Sequence, residues 1–261
     1  LLLPAVFALA AATPVVTLRG GPRLALVAGG AVLVWASVCM AAFRLDRSMI
    51  LDVIADERSF YVAEAQNEHP ITLEDFAGTR AVASGESVRA MAAGGPSPCP
   101  SSGSLVLFDG PGNGSRPTCY PLDASRVAPG IRVVADAYRA GLFAFAAGRD
   151  VHVVDRLGLG DPLGSRLLIR TGDRIGHEKE LGQEWVLARF TPSGYAASDA
   201  VVTDARTALA CGALGELIDA VTGPLDLNGF SSNLGLAAVF QSLRIPNLPE
   251  HARSLFCDEP G

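Results

Sequence analysis

Lysine is all but absent from this chain: of its 21 lysine and arginine residues, Lys179 is the single lysine. Alanine, glycine, proline and arginine abound, the drift expected of a GC-rich genome, in which lysine gives way to arginine wherever the protein tolerates it. The two cations differ in shape, donor geometry and readiness to release a proton. A lysine kept within "GDRIGHEKELG" (172–182) therefore marks a place where a guanidinium fork does not fit, or a surface lysine that survived by chance. Basic runs of five or more are also missing and the net charge is −6, which argues against a nucleic-acid surface. No CxxC pair occurs, which argues against a zinc ribbon or a thioredoxin-type redox site. The absence of GxSxG leaves a serine triad unsupported. GHEKE lacks the second histidine of a zinc-protease helix, and His69, His152, His177 and His251 are scattered along the chain.

Apolar sequence is in excess, at 49% of residues with a mean hydropathy of +0.30. It is concentrated at the start. Residues 1–18 carry no charge, "RGGPR" interrupts, and 24–43 are uncharged again. A membrane-spanning helix needs ~20 such residues, so 24–43 reads as one span and 1–18 as a second, truncated one. A signal peptide over 1–12 is disfavoured by the missing basic flank and by the second apolar run. Pro4 and Pro14 are tolerable in a packed membrane helix. The expectation is a transmembrane hairpin over 1–43, closing a polytopic protein whose beginning is missing, followed by a C-terminal domain over 44–261.

Charge alone barely orients that hairpin. Arg19 and Arg23 favour a cytoplasmic turn, while Arg44 and Arg47 follow the second helix and nearly balance them. The cysteines break the tie. Cys39 lies in the apolar run, and Cys99, Cys119, Cys211 and Cys257 fall on loop-like stretches. An even count there suits two disulfides, most simply Cys99–Cys119 and Cys211–Cys257, in an oxidising compartment. Residues 44–261 are accordingly expected outside the cytoplasm.

Periodicity gives the organisation of that domain. "LDRSMILDVIADERSFYVAEAQ" (45–66) carries apolar residues at helical spacing with charges between them, as on a surface helix. "HPITLEDF" restarts a helix, with Thr72 as N-cap and Asp75 three positions on. "SLVLFD" (104–109) reads as a buried strand and "GPGNGSRPTCYP" as a loop tied by Cys119. "IRVVAD" (131–136), "AYRAGLFAFAAG" and "VHVVD" (151–155) form a strand–helix–strand unit, which implies a small parallel or mixed sheet. The stretches "DARTALACGALGELIDAV" and "SSNLGLAAVFQSLRIP" read as two helices packed on it. The fold class is thus α/β (α+β) with two membrane helices ahead of it.

Asp136 and Asp155 end their strands at the edge where open α/β sheets bind ligands. The following "VVDRLGLGDPLGSR" lacks the third glycine and the helix of a dinucleotide fingerprint. A turn that needs positive φ at Gly158 or Gly160 accounts for it better, with Asp161–Pro162 capping the next turn. His177 with Asp155, Asp161 and Glu178 could hold a divalent cation if the loops converge. Arg166, Arg170, Arg174, His177 and Lys179 fall within fourteen positions. Such a cluster suits an anionic or polyhydroxylated ligand, or else is a solvated loop balanced by Asp173, Glu178, Glu180 and Glu184.

"DERSFYV" (56–62), "VVDRLGLGDPLGSR" (153–166), "DRIGHEKELGQEWVLARF" (173–190) and "SLRIP" (242–246) follow the apolar hairpin in that order. Together they resemble the C-terminal part of the actinobacterial terminal β-(1→2)-arabinofuranosyltransferases. These are polytopic GT-C membrane glycosyltransferases that use decaprenyl-phosphoryl arabinose. The resemblance implies a polyprenyl-phosphate sugar donor, a cell-wall arabinan acceptor and a membrane-lipid environment, and the charge pattern leaves no nucleic-acid partner expected. It also implies that the catalytic base lies in a region ahead of this chain, and that the tail covers the active site. On that basis Arg174 and Lys179 contact phosphate or sugar hydroxyls, and Arg166 belongs to the same cationic group. His177 with Glu178, and Asp155 with Asp161, orient them or bond sugar hydroxyls, while Trp185 is either a sugar-stacking face or a core residue. The competing expectations are a glycan-binding module without catalytic residues, and a purely structural tail.

Overall fold

The computed structural model describes residues 23, 26–39, 41, 50–51, 54–55, 57–97, 99, 103–108, 117–170, 176–223 and 226–258. Two compact units divide at residues 51 and 52. In the first, residues 26–39 are helical and expose Leu26, Val27, Leu33, Val34 and Val38. Among the described residues no helix is long and apolar enough to cross a membrane. The span expected at 1–18 and both ends of the one expected at 24–43 lie outside them.

The second unit is built on a four-stranded mixed sheet: β1 (Ser104–Leu107), β2 (Thr118–Pro121), β3 (Val133–Ala137) and β4 (Val151–Asp155), in the order β2-β1-β3-β4. β1 pairs antiparallel with β2 and parallel with β3, and β3 pairs parallel with β4. Because side chains alternate across a strand, the continuous apolar runs of β1 and β3 must feed two cores. Leu105, Leu107, Val134 and Val154 point into one; Val106, Val133, Ala135 and Val151 point into the other. The second core is closed by α2 (Arg80–Ala92), through Val88 and Met91, and by α3 (Ala140–Ala147), through Phe143. At the α2–α3 crossing a Cβ on Gly85 would lie 2.5 Å from the Phe143 carbonyl oxygen, so glycine is what lets the two backbones approach.

The first core is larger and is closed by helices from the C-terminal half. These are α4 (Gln183–Phe190), α5 (Ala200–Ala208), α6 (Gly212–Thr222), α7 (Leu227–Phe240) and α8 (Pro249–Arg253). Trp185, Phe190, Leu214, Leu217, Phe240 and Ile245 meet there. Burying each large apolar side chain contributes about 1.5–3 kcal/mol, so the two faces give the sheet most of its stability. Ahead of these elements, α1 (Glu57–Ala65) packs beside a short 3-10 turn, Leu73–Phe76.

Four sequence expectations need correction. Ile50–Leu51 and Ile54–Ala55 are extended, and the helix expected from residue 45 begins only at Glu57; β-branched residues at 50, 53 and 54 favour the strand conformation. The Thr72 cap opens a single 3-10 turn, because Asp75 turns back to accept the Ile71 and Thr72 N–H groups at 2.9 and 2.8 Å, and a second cap, Thr79, starts α2. Residues 118–121 form a strand in place of a loop, held against β1 by their ladder and tied to residue 99 by the Cys99–Cys119 bond. The long helix read over 204–221 is two helices broken at Cys211–Gly212, where Gly212 has φ +49° and Cys211 is tied to Cys257.

Candidate functional site

The parallel strands β3 and β4 run out at the same edge, and the chain turns there into charged residues. Asp136, fully buried, accepts the Phe108 N–H at 2.7 Å and the Arg156 guanidinium at 3.0 Å. Arg156 reaches on to Glu180 at 3.5 Å and lies over the Tyr138 ring, 5.2 Å from its centroid. Tyr138 in turn donates to Glu180 at 2.8 Å, and Arg170 meets the other Glu180 oxygen at 3.7 Å. Burial, with the bond to Glu180 adding to it, pushes the Tyr138 hydroxyl up to about 12. This cluster neutralises itself: two carboxylates face two guanidiniums, and the phenol stays protonated.

Beyond Asp155 the glycine loop is built by two carboxylates. Asp155 accepts the N–H groups of Leu157 at 3.0 Å and Gly160 at 2.7 Å. Asp161 accepts those of Leu163 and Gly164, both at 2.9 Å, and holds the buried Arg189 guanidinium at 2.9 Å with its other oxygen. The positive φ falls on Gly158, at +73°, and a Cβ there would stand 2.5 Å from the Gly164 carbonyl. Both carboxylates are therefore occupied in shaping the loop. Arg189 also sits near His152, whose pKa is lowered first by burial and then by that guanidinium, with Asp161 opposing.

The loop ends in a groove. Residues Leu167 and Ile245 form a parallel bridge, extended by the Leu168 N–H donating to the Ile245 carbonyl at 2.9 Å. This brings Arg244 beside Arg166 and Lys179. The three cations share a cavity of about 600 Å³ with Leu168, Ile169 and Phe240. Arg166 donates to the carbonyls of Pro162 at 2.8 Å and of Phe240 at 3.1 Å, the latter closing the C-terminus of α7. Arg244 donates to the carbonyls of Gln241 at 3.1 Å and Leu243 at 2.9 Å. The Lys179 ammonium donates to the Ser165 carbonyl. Every acceptor is neutral. Among the described residues none of these cations has a carboxylate within ion-pair distance, and no acidic residue lines the cavity.

The residues singled out from the sequence thus separate. Arg166 and Lys179 meet in the groove. Asp155 and Asp161 hold the loop behind it. His177 faces Glu57 at 3.7 Å, and Glu178 accepts the Gly176 N–H at 2.7 Å. Trp185 is fully buried and donates its indole N–H to the Asn247 carbonyl at 3.1 Å; with both ring faces in the core it is not a sugar-stacking surface. Arg174 lies outside the described residues. Among those residues no three His, Cys, Asp or Glu side chains converge as a metal site, so Asp155, Asp161, His177 and Glu178 do not form the cation cluster their spacing allowed. Cys99 is bonded to Cys119 and Cys211 to Cys257, the simplest pairing. Sequence reasoning missed Arg244 and Phe240 as partners of Lys179. The available signal was the short apolar run 167–169 and the alternating Leu243, Arg244 and Ile245, both suited to pairing as strands.

Residues 128–251 match the AftB family C-terminal domain. Over 211 residues the chain is 29% identical to a terminal beta-(1->2)-arabinofuranosyltransferase of Mycobacterium tuberculosis. That alignment takes in 76% of this chain but only 32% of the relative's length. The resemblance is to the C-terminal part of such an enzyme. No solved structure matches the chain. The glycine loop and all three groove cations fall inside the matched segment.

Proposed function

From the match of residues 128–251 to the AftB family C-terminal domain, we propose that this chain is the C-terminal part of a multi-pass membrane arabinofuranosyltransferase. Residues 1–43 close its membrane region and 44–261 form an extracytoplasmic domain, a placement that two disulfides suit. The reaction moves an arabinofuranosyl group from decaprenyl-phosphoryl arabinose to the non-reducing end of cell-wall arabinan. The acceptor hydroxyl oxygen bonds to the anomeric carbon as the bond from that carbon to the phosphate oxygen breaks. The hydroxyl proton passes to a base, and the phosphate leaves on its lipid.

Within that scheme the tail holds ligand and does not supply the base. Asp136, Asp161 and Glu180 all face guanidiniums and are engaged in holding the fold, and none of them lines the groove. The observation that carries the reading is the groove inside the matched segment, where Arg166, Lys179 and Arg244 point positive charge that no carboxylate offsets among the described residues. Cations arranged in this way stabilise phosphate or bind sugar hydroxyls. A compact ammonium reaches the Ser165 carbonyl between Arg166 and the loop, where the wider fork of a second arginine would crowd the first.

The test is transfer of labelled arabinose from the lipid-phosphate donor to a short arabinan acceptor, comparing the full-length parent protein with its Lys179→Ala and Lys179→Arg variants at equal membrane expression. Loss of one charge-assisted hydrogen bond corresponds to roughly a ten- to hundredfold fall for Lys179→Ala, with little rescue by arginine. Unchanged transfer by both variants would remove the groove from the reaction and leave the tail as a docking element.

A further inference from the structure

α7 is unusual for a helix that faces water. Its 14 residues include no charged side chain. One stripe, Gly229, Asn233, Leu236 and Phe240, is turned toward the protein. A second stripe recurs at heptad spacing: Leu227, Phe230 and Leu234, exposed to 85%, 55% and 66%, then Ala237, then Gln241 at the groove. At 100° per residue these side chains share one face. A helix that exposes such a stripe to water ordinarily carries charged residues beside it; this one has none.

The charges stand at the end of the stripe instead. Arg244 and Lys179 line the groove into which Gln241 opens, alongside the exposed Leu168 and Ile169. An apolar ridge that ends in uncompensated cations complements one kind of partner, a layer of acyl chains topped by phosphates. The chain as a whole carries −6, and so is repelled by an anionic surface everywhere except at a patch like this one. A soluble anion would satisfy the cations and leave the ridge in water. An apolar protein surface would cover the ridge and leave the cations unmatched.

We propose that α7 lies in the headgroup region of an anionic phospholipid bilayer, with Leu227, Phe230 and Leu234 against the acyl chains and a lipid phosphate seated between Arg244, Lys179 and Arg166. The phosphate seat uses the same three cations as the transferase reading, but the immersion of the ridge needs neither sugar donor nor acceptor, so its failure and the failure of that reading are told apart by a test that contains neither.

The test places a nitroxide at Leu234→Cys, or at Val201→Cys on α5 for comparison, in the full chain with the free Cys39 replaced by serine. The chain is reconstituted in vesicles of phosphatidylcholine with or without 30% phosphatidylglycerol (roughly a physiological anionic fraction). Collision with oxygen is measured against collision with a water-soluble nickel complex. Immersion predicts that oxygen dominates at position 234 in the anionic vesicles and nickel at position 201. The oxygen preference falls severalfold in phosphatidylcholine alone and with Arg244→Glu, a substitution at an exposed position whose folding is checked by an unchanged circular dichroism spectrum. Nickel access at 234 equal to that at 201 would overturn the proposal, as expected if a soluble anion alone fills the groove. Shielding from both reagents would also overturn it, because the ridge would then be covered by protein. Immersion indifferent to lipid charge and to Arg244→Glu would overturn the phosphate seat.

Discussion

At the residue scale, the carboxylates singled out in the sequence each make bonds within the fold. Asp161 serves two backbone N–H groups and one buried guanidinium. Its partner Arg189 is 7% exposed at the side chain and Asp161 is 3%. Removing one member of such a pair strands the other charge out of water, which costs about 3–5 kcal/mol. Asp161→Ala is therefore expected to lower the urea midpoint strongly. Asp161→Ala combined with Arg189→Met should recover part of that loss, because no unpaired charge remains. A double variant no more stable than the single one would mean that the loop N–H bonds, and not the ion pair, dominate. Spacing alone showed that Asp155 and Asp161 flank the loop. It did not show which way their oxygens turn, since that depends on Arg189, 28 positions away.

At the scale of elements, the strand–helix–strand unit was legible because its apolar runs are short, continuous and bounded by turn residues. Observed limits of Val133–Ala137, Ala140–Ala147 and Val151–Asp155 fall within three residues of those expected. β2 was not legible: Thr118–Pro121 is short, contains proline and gains its strand geometry only from pairing with β1. The glycine loop was legible as a turn, but the choice between Gly158 and Gly160 needed the fold. Gly158→Ala forces a side chain into positive φ and against the Gly164 backbone, a combined cost of roughly 2 kcal/mol or more. Gly160→Ala meets nothing nearer than 3.7 Å and its φ is not in the left-handed region. Thermal unfolding of the two variants should thus differ clearly, with Gly160→Ala close to the parent. Equal losses would mean that the loop relaxes around either side chain.

At the scale of the whole molecule, the groove exists because distant segments are held in register. Residues 165–169 and 241–245 are joined by a parallel bridge and by Arg166 on the Phe240 carbonyl, and the Cys211–Cys257 bond encloses the second of these segments. That bond links residues 46 apart and ties the end of the chain to the start of α6. Closing a loop of that length restricts the unfolded chain by ~4 kcal/mol in the loop-entropy estimate. The Cys99–Cys119 bond closes a shorter loop, with a separation of 20, worth ~3 kcal/mol on the same basis. The paired Cys211→Ser and Cys257→Ser variant is expected to lose more stability than the paired Cys99→Ser and Cys119→Ser variant. It should also loosen the 241–245 segment, which hydrogen exchange would report at the Leu168 and Ile245 amides. Loss of stability with unchanged protection at those amides would show that the bridge to residues 166–168 holds the groove without help from the disulfide.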